Sequence, residues 1–161
     1  MAVMHGRSSR SVAALAGMRL AVGGLFLIFA EYKVFGTQFT LGGGMERWVQ
    51  GFLRDGAYPF MAPLLKSFVL PHAHFLAFFV AYGELAIGLS LSLGFMVRPA
   101  SICGFVYMTA LLFSANYPGQ HAAFWQYFGA SLDHSVLALC FAAFAYARPD
   151  ELFSVRARTG A

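Results

Sequence analysis

Charge is scarce in this chain. Charged residues make up 11% of 161, against 59% hydrophobic, and mean hydropathy is +0.65. A water-soluble domain of this size needs a more polar exterior, so the deficit argues against an ordinary soluble fold. Cysteine is scarcer still. Cys103 and Cys140 are the only two, each inside an apolar run, and no Cys-x-x-Cys is present. That excludes a dithiol relay and leaves two buried, inert thiols as the expectation. The basic residues behind the net charge of +4 are dispersed among apolar segments, which argues against a nucleic-acid partner. Gly42-Gly43-Gly44 lacks the preceding strand and following Lys-Ser/Thr of a phosphate loop and reads as a flexible joint. Ser131 and His134 lie a helical turn apart with no identifiable oxyanion hole, so no Ser-His-Asp machinery stands out. No internal repeat is evident.

Four apolar runs are present, at residues 12–33, 75–97, 100–117 and 129–147. At about 1.5 Å per residue, roughly 20 residues cross a hydrocarbon core about 30 Å thick. The expected fold is all-α, an integral membrane four-helix bundle occupying residues 12–147. A basic segment, 1–11, precedes it and a basic tail, 148–161, follows. Arg7 and Arg10 before an apolar stretch imitate a secretory signal. The stretch is too long, contains Arg19 and has no small-residue cleavage site, so a retained first helix is expected.

Arg98-Pro99 reads as the tight connection of an antiparallel hairpin between the second and third runs. Arg7, Arg10, Arg98, Arg148, Arg156 and Arg158 fall on one side of the bundle, while residues 116–128 carry no Lys or Arg. By the positive-inside rule both termini are cytoplasmic and the protein is a multi-pass component of the inner, cytoplasmic membrane.

The first outer loop, 34–74, is too apolar for a plain linker. Met45, Trp48, Val49 and Phe52 recur at helical spacing, which predicts a short amphipathic helix lying on or dipping into the outer surface. Tyr117, Trp48, Trp125 and Tyr127 suit an interfacial aromatic belt, and Asn116-Tyr117-Pro118-Gly119 a helix stop and turn.

The few ionisable residues within the runs are the candidate site. Glu84 sits near the middle of the second run with no other charge near it. A carboxylate at that depth faces protein, water or a cation. Arg19, Gly23, Phe26, Ala30 and Lys33 share one helical face of the first run. Glu84, Gly88, Leu91, Phe95 and Arg98 share one face of the second, beside a small-residue stripe of Gly83, Ser90 and Gly94 that permits close approach. On these boundaries Arg19 lies roughly 10 Å and Glu84 roughly 20 Å above the inner boundary, with Lys33 near the outer boundary and Asp133 roughly 6 Å below it. Three pairings follow: Arg19–Glu84 through long side chains, Lys33–Asp133 at one level, and Lys33–Glu84 if the first helix extends or tilts. In the bland reading such pairs only neutralise buried charge and fix register.

His134 adjoins Asp133, and His72, His74 and His121 approach the same outer face, a protonatable vestibule in outline. Ordinary interfacial hydrogen bonding is favoured over metal or haem ligation for these histidines, because only His134 lies clearly inside.

Arg19-Leu20, Gly24, Phe26, Ala30 and Lys33, followed by Glu84-Leu85-Ala86-Ile87-Gly88, Leu91, Leu93, Gly94 and Arg98-Pro99, resemble the first two helices of the DoxX/DoxD-like family. Ala30 replaces a usual Gly, and Asp133 stands where many relatives carry Glu. The resemblance implies four helices, a long first outer loop and association with membrane redox chemistry, since the name-giving members are membrane subunits of a thiosulfate:quinone oxidoreductase. On that basis the expected function is an integral subunit of a quinone-linked electron-transfer complex, with other membrane subunits and the lipid bilayer as partners. It is not expected to be an enzyme on its own. Glu84 would handle protons, Arg19 or Lys33 would be its charge partner, and His134 a carbonyl donor. Phe78 and Tyr82 would line the quinone slot, with Asp133 in the ion-pair network. The alternative is a non-catalytic accessory subunit that stabilises a larger complex. A small-solute or lipid carrier would show an interrupted helix or paired repeats, and neither is evident.

Overall fold

In the computed structural model, which describes residues 2–147 with side chains from Ser11 onward, all regular structure is helical. The elements are α1 (Ala2–Phe35), α2 (Gly44–Asp55) and α3 (Met61–Leu64), the last continuing as a π-helical stretch (Leu65–Val69). Then come α4 (Ala73–Leu93), α5 (Val97–Ser114), α6 (Gln126–Gly129) and α7 (Leu132–Ala147). The described part of α1 from Ser11 to Phe35, α4 and α5 are each long and apolar enough to cross a membrane. Helix α7 is apolar but only 16 residues, about 24 Å of rise. The tail 148–161 and the side chains of Arg7 and Arg10 lie outside the described residues.

The polarity of a soluble protein is inverted. Arg19 is fully buried and Glu84 nearly so, while Ile28, Phe29, Phe75, Phe79, Val106 and Leu139 are exposed. Apolar groups that cannot be hidden from water by this packing are at no disadvantage against acyl chains, whereas the charges gain from facing inward. The chain is an all-helical membrane protein.

Helix α1 packs chiefly on α4 and α5 chiefly on α7, with α4 and α5 joining the two pairs. One core cluster draws Val22 and Phe26 from α1, Ile87 and Leu91 from α4, Val97 and Met108 from α5, and Ala138, Phe141 and Phe144 from α7. Phe26 meets Phe141 edge to face, with ring centroids 5.2 Å apart. The α1–α4 crossing is set by one glycine on each helix. A Cβ on Gly23 would lie 3.0 Å from the backbone nitrogen of Ser92, and one on Gly88 would lie 3.0 Å from that of Leu27. Close approach therefore runs through Gly23 and Gly88. Gly83, expected in the contact stripe, has open space where its Cβ would be.

The helix ends differ from the expected runs for identifiable reasons. α4 stops at Leu93, not residue 97, because Gly94 adopts φ 68° and caps it, with Met96 also left-handed at φ 52°. Arg98-Pro99 consequently belongs to the first turn of α5, where proline lacks only an N–H that would be unbonded anyway. Phe95 and Arg98 thereby leave the buried face of α4 and are exposed. α5 ends at Ser114, short of residue 117: Ala115 is extended and Asn116 takes φ 57°, ahead of Tyr117-Pro118. α7 starts at Leu132 rather than 129, after the short α6.

The amphipathic helix expected at Met45–Leu53 is present as α2, with Val49 buried and Trp48 exposed. Gly42-Gly43-Gly44 is a tight packed turn, not a flexible joint. Gly43 has φ 71°, and a Cβ on Gly44 would sit 2.6 Å from Phe39 Cα. Phe39 and Met45 then pack on Ala77 and Ala81, so the α1–α2 connection roofs the N-terminal half of α4.

The connection that follows α2 and the one that follows α5 are stitched together. Tyr58 donates to the Tyr127 carbonyl at 2.8 Å, and Tyr127 donates to the Gly119 carbonyl at 2.8 Å. The Tyr117 amide donates to the Gly56 carbonyl, and Tyr58 packs among Phe60, Phe113, Tyr117 and Tyr127. Tyr127 is thus a structural strut in addition to any headgroup contact.

Candidate functional site

The α1–α4 register determines the site. Gly23 lies against Leu91–Ser92 and Leu27 against Gly88. Extending that antiparallel register one or two turns brings Lys33, near the end of α1, beside Glu84, in the middle of α4. The Lys33 ammonium donates to Glu84 Oε1 at 2.5 Å, a short charge-assisted bond. The Tyr107 hydroxyl of α5 donates to the same oxygen at 2.5 Å. Lys33 Nζ also lies 5.0 Å from the centroid of Phe39. Three helices thus converge on one carboxylate, and the side chains of Lys33 and Glu84 are only 14% and 6% exposed. Glu84 is about 16 Å of helix rise from the start of α4 and about 14 Å from its end, so the cluster is far from either mouth of the helix.

Of the three pairings open in the sequence, Lys33–Glu84 is the one formed. Arg19 shares the buried face of α1 as expected, but it lies fourteen residues before Lys33, about 21 Å along the axis, at the far end of α4. Asp133 is not in the cluster: its side chain is 71% exposed at the start of α7, and its Oδ1 lies 3.1 Å from His134 Nδ1. His72 and His74 make local contacts. His72 Nδ1 meets the Phe68 carbonyl at 2.8 Å, His74 stacks edge-on with Phe78, and His121 is exposed. Among the described residues no group of His, Cys, Asp and Glu is arranged to hold a metal ion.

Beside the carboxylate, an apolar groove of about 220 Å³ opens between α4 and α5, lined by Leu76, Phe79, Val80, Gly83, Glu84, Ile87, Cys103 and Tyr107. Phe78 and Tyr82, expected to form a slot, instead stack on each other elsewhere on α4. Their places are taken by Phe79 and Tyr107, one residue further on and one helix across. Cys103 is exposed on the groove wall, contrary to the expected buried thiol, because its side of α5 faces outward. Glu84 Oε2 is buried and has no hydrogen-bond partner among the described residues.

Tyr107 is the member that sequence reasoning missed. The signal was a phenol in the middle of an apolar helix, since a buried tyrosine hydroxyl seeks a polar partner. Tyr58, in the connection that follows α2, has its hydroxyl pKa pushed up by burial and by the neighbouring Tyr127 and Tyr117.

A family model described as DoxX matches residues 14–116, a stretch that contains Arg19, Lys33, Glu84 and Tyr107. No curated protein and no solved structure matches the chain.

Proposed function

The chain belongs to the DoxX family, and we propose that it serves as an integral subunit of a quinone-linked electron-transfer complex in the inner membrane, Glu84 being its proton-handling group. In this reading α1, α4, α5 and α7 are four crossings of one bundle, with both termini cytoplasmic. The shared core of these helices supports the single bundle.

The observation that carries the functional reading is the Lys33–Glu84–Tyr107 cluster at the wall of a groove with apolar lining. A purely register-fixing ion pair needs neither an adjoining groove nor an unsatisfied oxygen. A quinone would supply the redox-active ring and an apolar tail suited to Leu76, Phe79 and Ile87. The chain's own residues would do the rest. Lys33 and Tyr107 hold Oε1 in place, which leaves the buried Oε2 to take and release a proton. Lys33 supplies the counter-charge beside the carboxylate, and the exclusion of water strengthens each of these interactions.

The test is Glu84→Gln in the native complex. Substitution of the carboxylate by an isosteric amide is expected to lower quinone turnover at least tenfold while the complex still assembles. Undiminished turnover in the assembled variant removes Glu84 from the chemistry. Loss of assembly with normal turnover in what remains assigns the pair a structural role, as a non-catalytic accessory subunit would have.

A further inference from the structure

We propose that the hollow between the first turns of α5 and the last turns of α7 binds the head group of an anionic phospholipid, the Arg98 guanidinium meeting its phosphodiester. The site shares no residue with the carboxylate cluster and stands independently of the function proposed above.

The antiparallel packing of α5 on α7 builds the hollow. Gly104 lies against Phe141, so the start of α5 comes beside the end of α7. Arg98 and Tyr146 stand at the two helix ends, and Ile102, Ala142 and Ala145 complete an open hollow of about 430 Å³. The two alanines leave the room between the long side chains, and the volume is in the range of small-ligand sites.

Charge chooses the head of the occupant. Arg98 is exposed, and among the described residues no carboxylate pairs with it or lines the hollow. A guanidinium holds a phosphodiester with two parallel N–H donors. Tyr146 is almost fully exposed, so it adds nothing to the core, and a phenol at this level is placed to donate to a lipid head. A zwitterionic head offers the same phosphate but brings an ammonium toward Arg98, so net charge is discriminated.

Depth chooses the rest. Ile102 lies one turn, about 6 Å, further into the bundle than Arg98, and Ala142 the same distance further than Tyr146. The next turns of the same two faces carry Val106 and Leu139, both exposed. A cation at the helix ends with an apolar strip running inward from it fits an amphiphile, whose acyl chain lies along the strip. A free phosphate or a charged peptide would use only the outer end. Basic pockets between membrane helices take anionic lipid heads for this reason.

The full chain in detergent micelles is titrated with phosphatidylglycerol and with phosphatidylcholine of the same acyl chains, and the bound fractions are read by native mass spectrometry. The first phosphatidylglycerol is expected to bind at least about fivefold tighter, the worth of one cation at an anionic surface. Arg98→Gln should abolish most of that preference, while Lys66→Gln, at an exposed lysine outside the hollow, should leave it unchanged. Ala142→Phe, which fills the hollow, should remove the preference with Arg98 still present. Equal binding of the two lipids by the native chain overturns the proposal, and so does a loss in Lys66→Gln as large as that in Arg98→Gln. An unchanged preference in Arg98→Gln, with a gain in Asp150→Asn/Glu151→Gln, gives the guanidinium to the acidic pair of the tail and overturns it likewise. If Ala142→Phe does not fold, Arg98→Gln decides, because a change at an exposed arginine leaves the core packing intact.

Discussion

Removing the ammonium from the Lys33–Glu84 pair is the perturbation with the clearest energetic consequence. Lys33→Met keeps an unbranched apolar chain of similar length and deletes the ammonium that lies 5.0 Å from the Phe39 ring centroid. Among the described residues Glu84 is then left with Tyr107 as its donor, in a position where its side chain is 6% exposed. Orphaning one member of a buried pair costs about 3–5 kcal/mol. The lower end, about 3 kcal/mol, applies here because Tyr107 still donates to the carboxylate. Glu84→Leu alone strands the ammonium at similar cost. The double variant buries no charge at all, so it should lie within about 1 kcal/mol of the native chain, as apolar replacements of buried pairs often do. Equilibrium unfolding in mixed micelles across the four proteins gives the coupling energy directly. A value of several kcal/mol is expected. Additive single effects, with a coupling under about 0.5 kcal/mol, would show that the two side chains do not meet and would refute the register deduced from Gly23 and Gly88.

Smaller perturbations separate the remaining parts. Tyr107→Phe removes a donor to Glu84 Oε1 and should cost about 0.5–1.5 kcal/mol in the same unfolding assay, with no change in oligomeric state. Gly88→Ala forces a Cβ to within 3.0 Å of the Leu27 backbone and should cost about 1–3 kcal/mol, whereas Gly83→Ala should be neutral or stabilising, as melting temperatures will show. The Tyr58 hydroxyl, raised above its ordinary 10.0 by burial, resists ionisation in the folded cap but not in the unfolded chain. Stability should therefore be complete below pH 10 and fall as pH rises above it, and Tyr58→Phe should flatten that fall while exposing the outer loops to protease.

Much of the architecture was legible in the sequence. The apolar runs located α1, α4, α5 and α7, and the face shared by Arg19, Gly23, Phe26, Ala30 and Lys33 is the buried face of α1. Helix ends were less legible, because a left-handed glycine such as Gly94 terminates an apolar helix without any change in hydropathy. The site was legible at Glu84 and Lys33, since a charge in hydrocarbon must find a partner. Their pairing was not fixed, because it depends on how far α1 slides along α4, and only the backbone contacts at Gly23 and Gly88 set that. Tyr107 and the groove depend on the rotation of α5 against α4. Apolar residues on every side of a membrane helix leave no periodicity from which to read that rotation, which is also why Phe78 and Tyr82 were indistinguishable from Phe79.

The Lys33–Glu84 contact can be tested most directly by cysteine cross-linking in native membranes. Cysteines placed at 33 and 84, in a chain lacking Cys103 and Cys140, should be bridged by a bifunctional methanethiosulfonate about as long as the two side chains it replaces, tying α1 to α4. A 33–133 pair treated identically should not. Ready linkage at 33–133 with none at 33–84 would contradict the helix register on which the site is built.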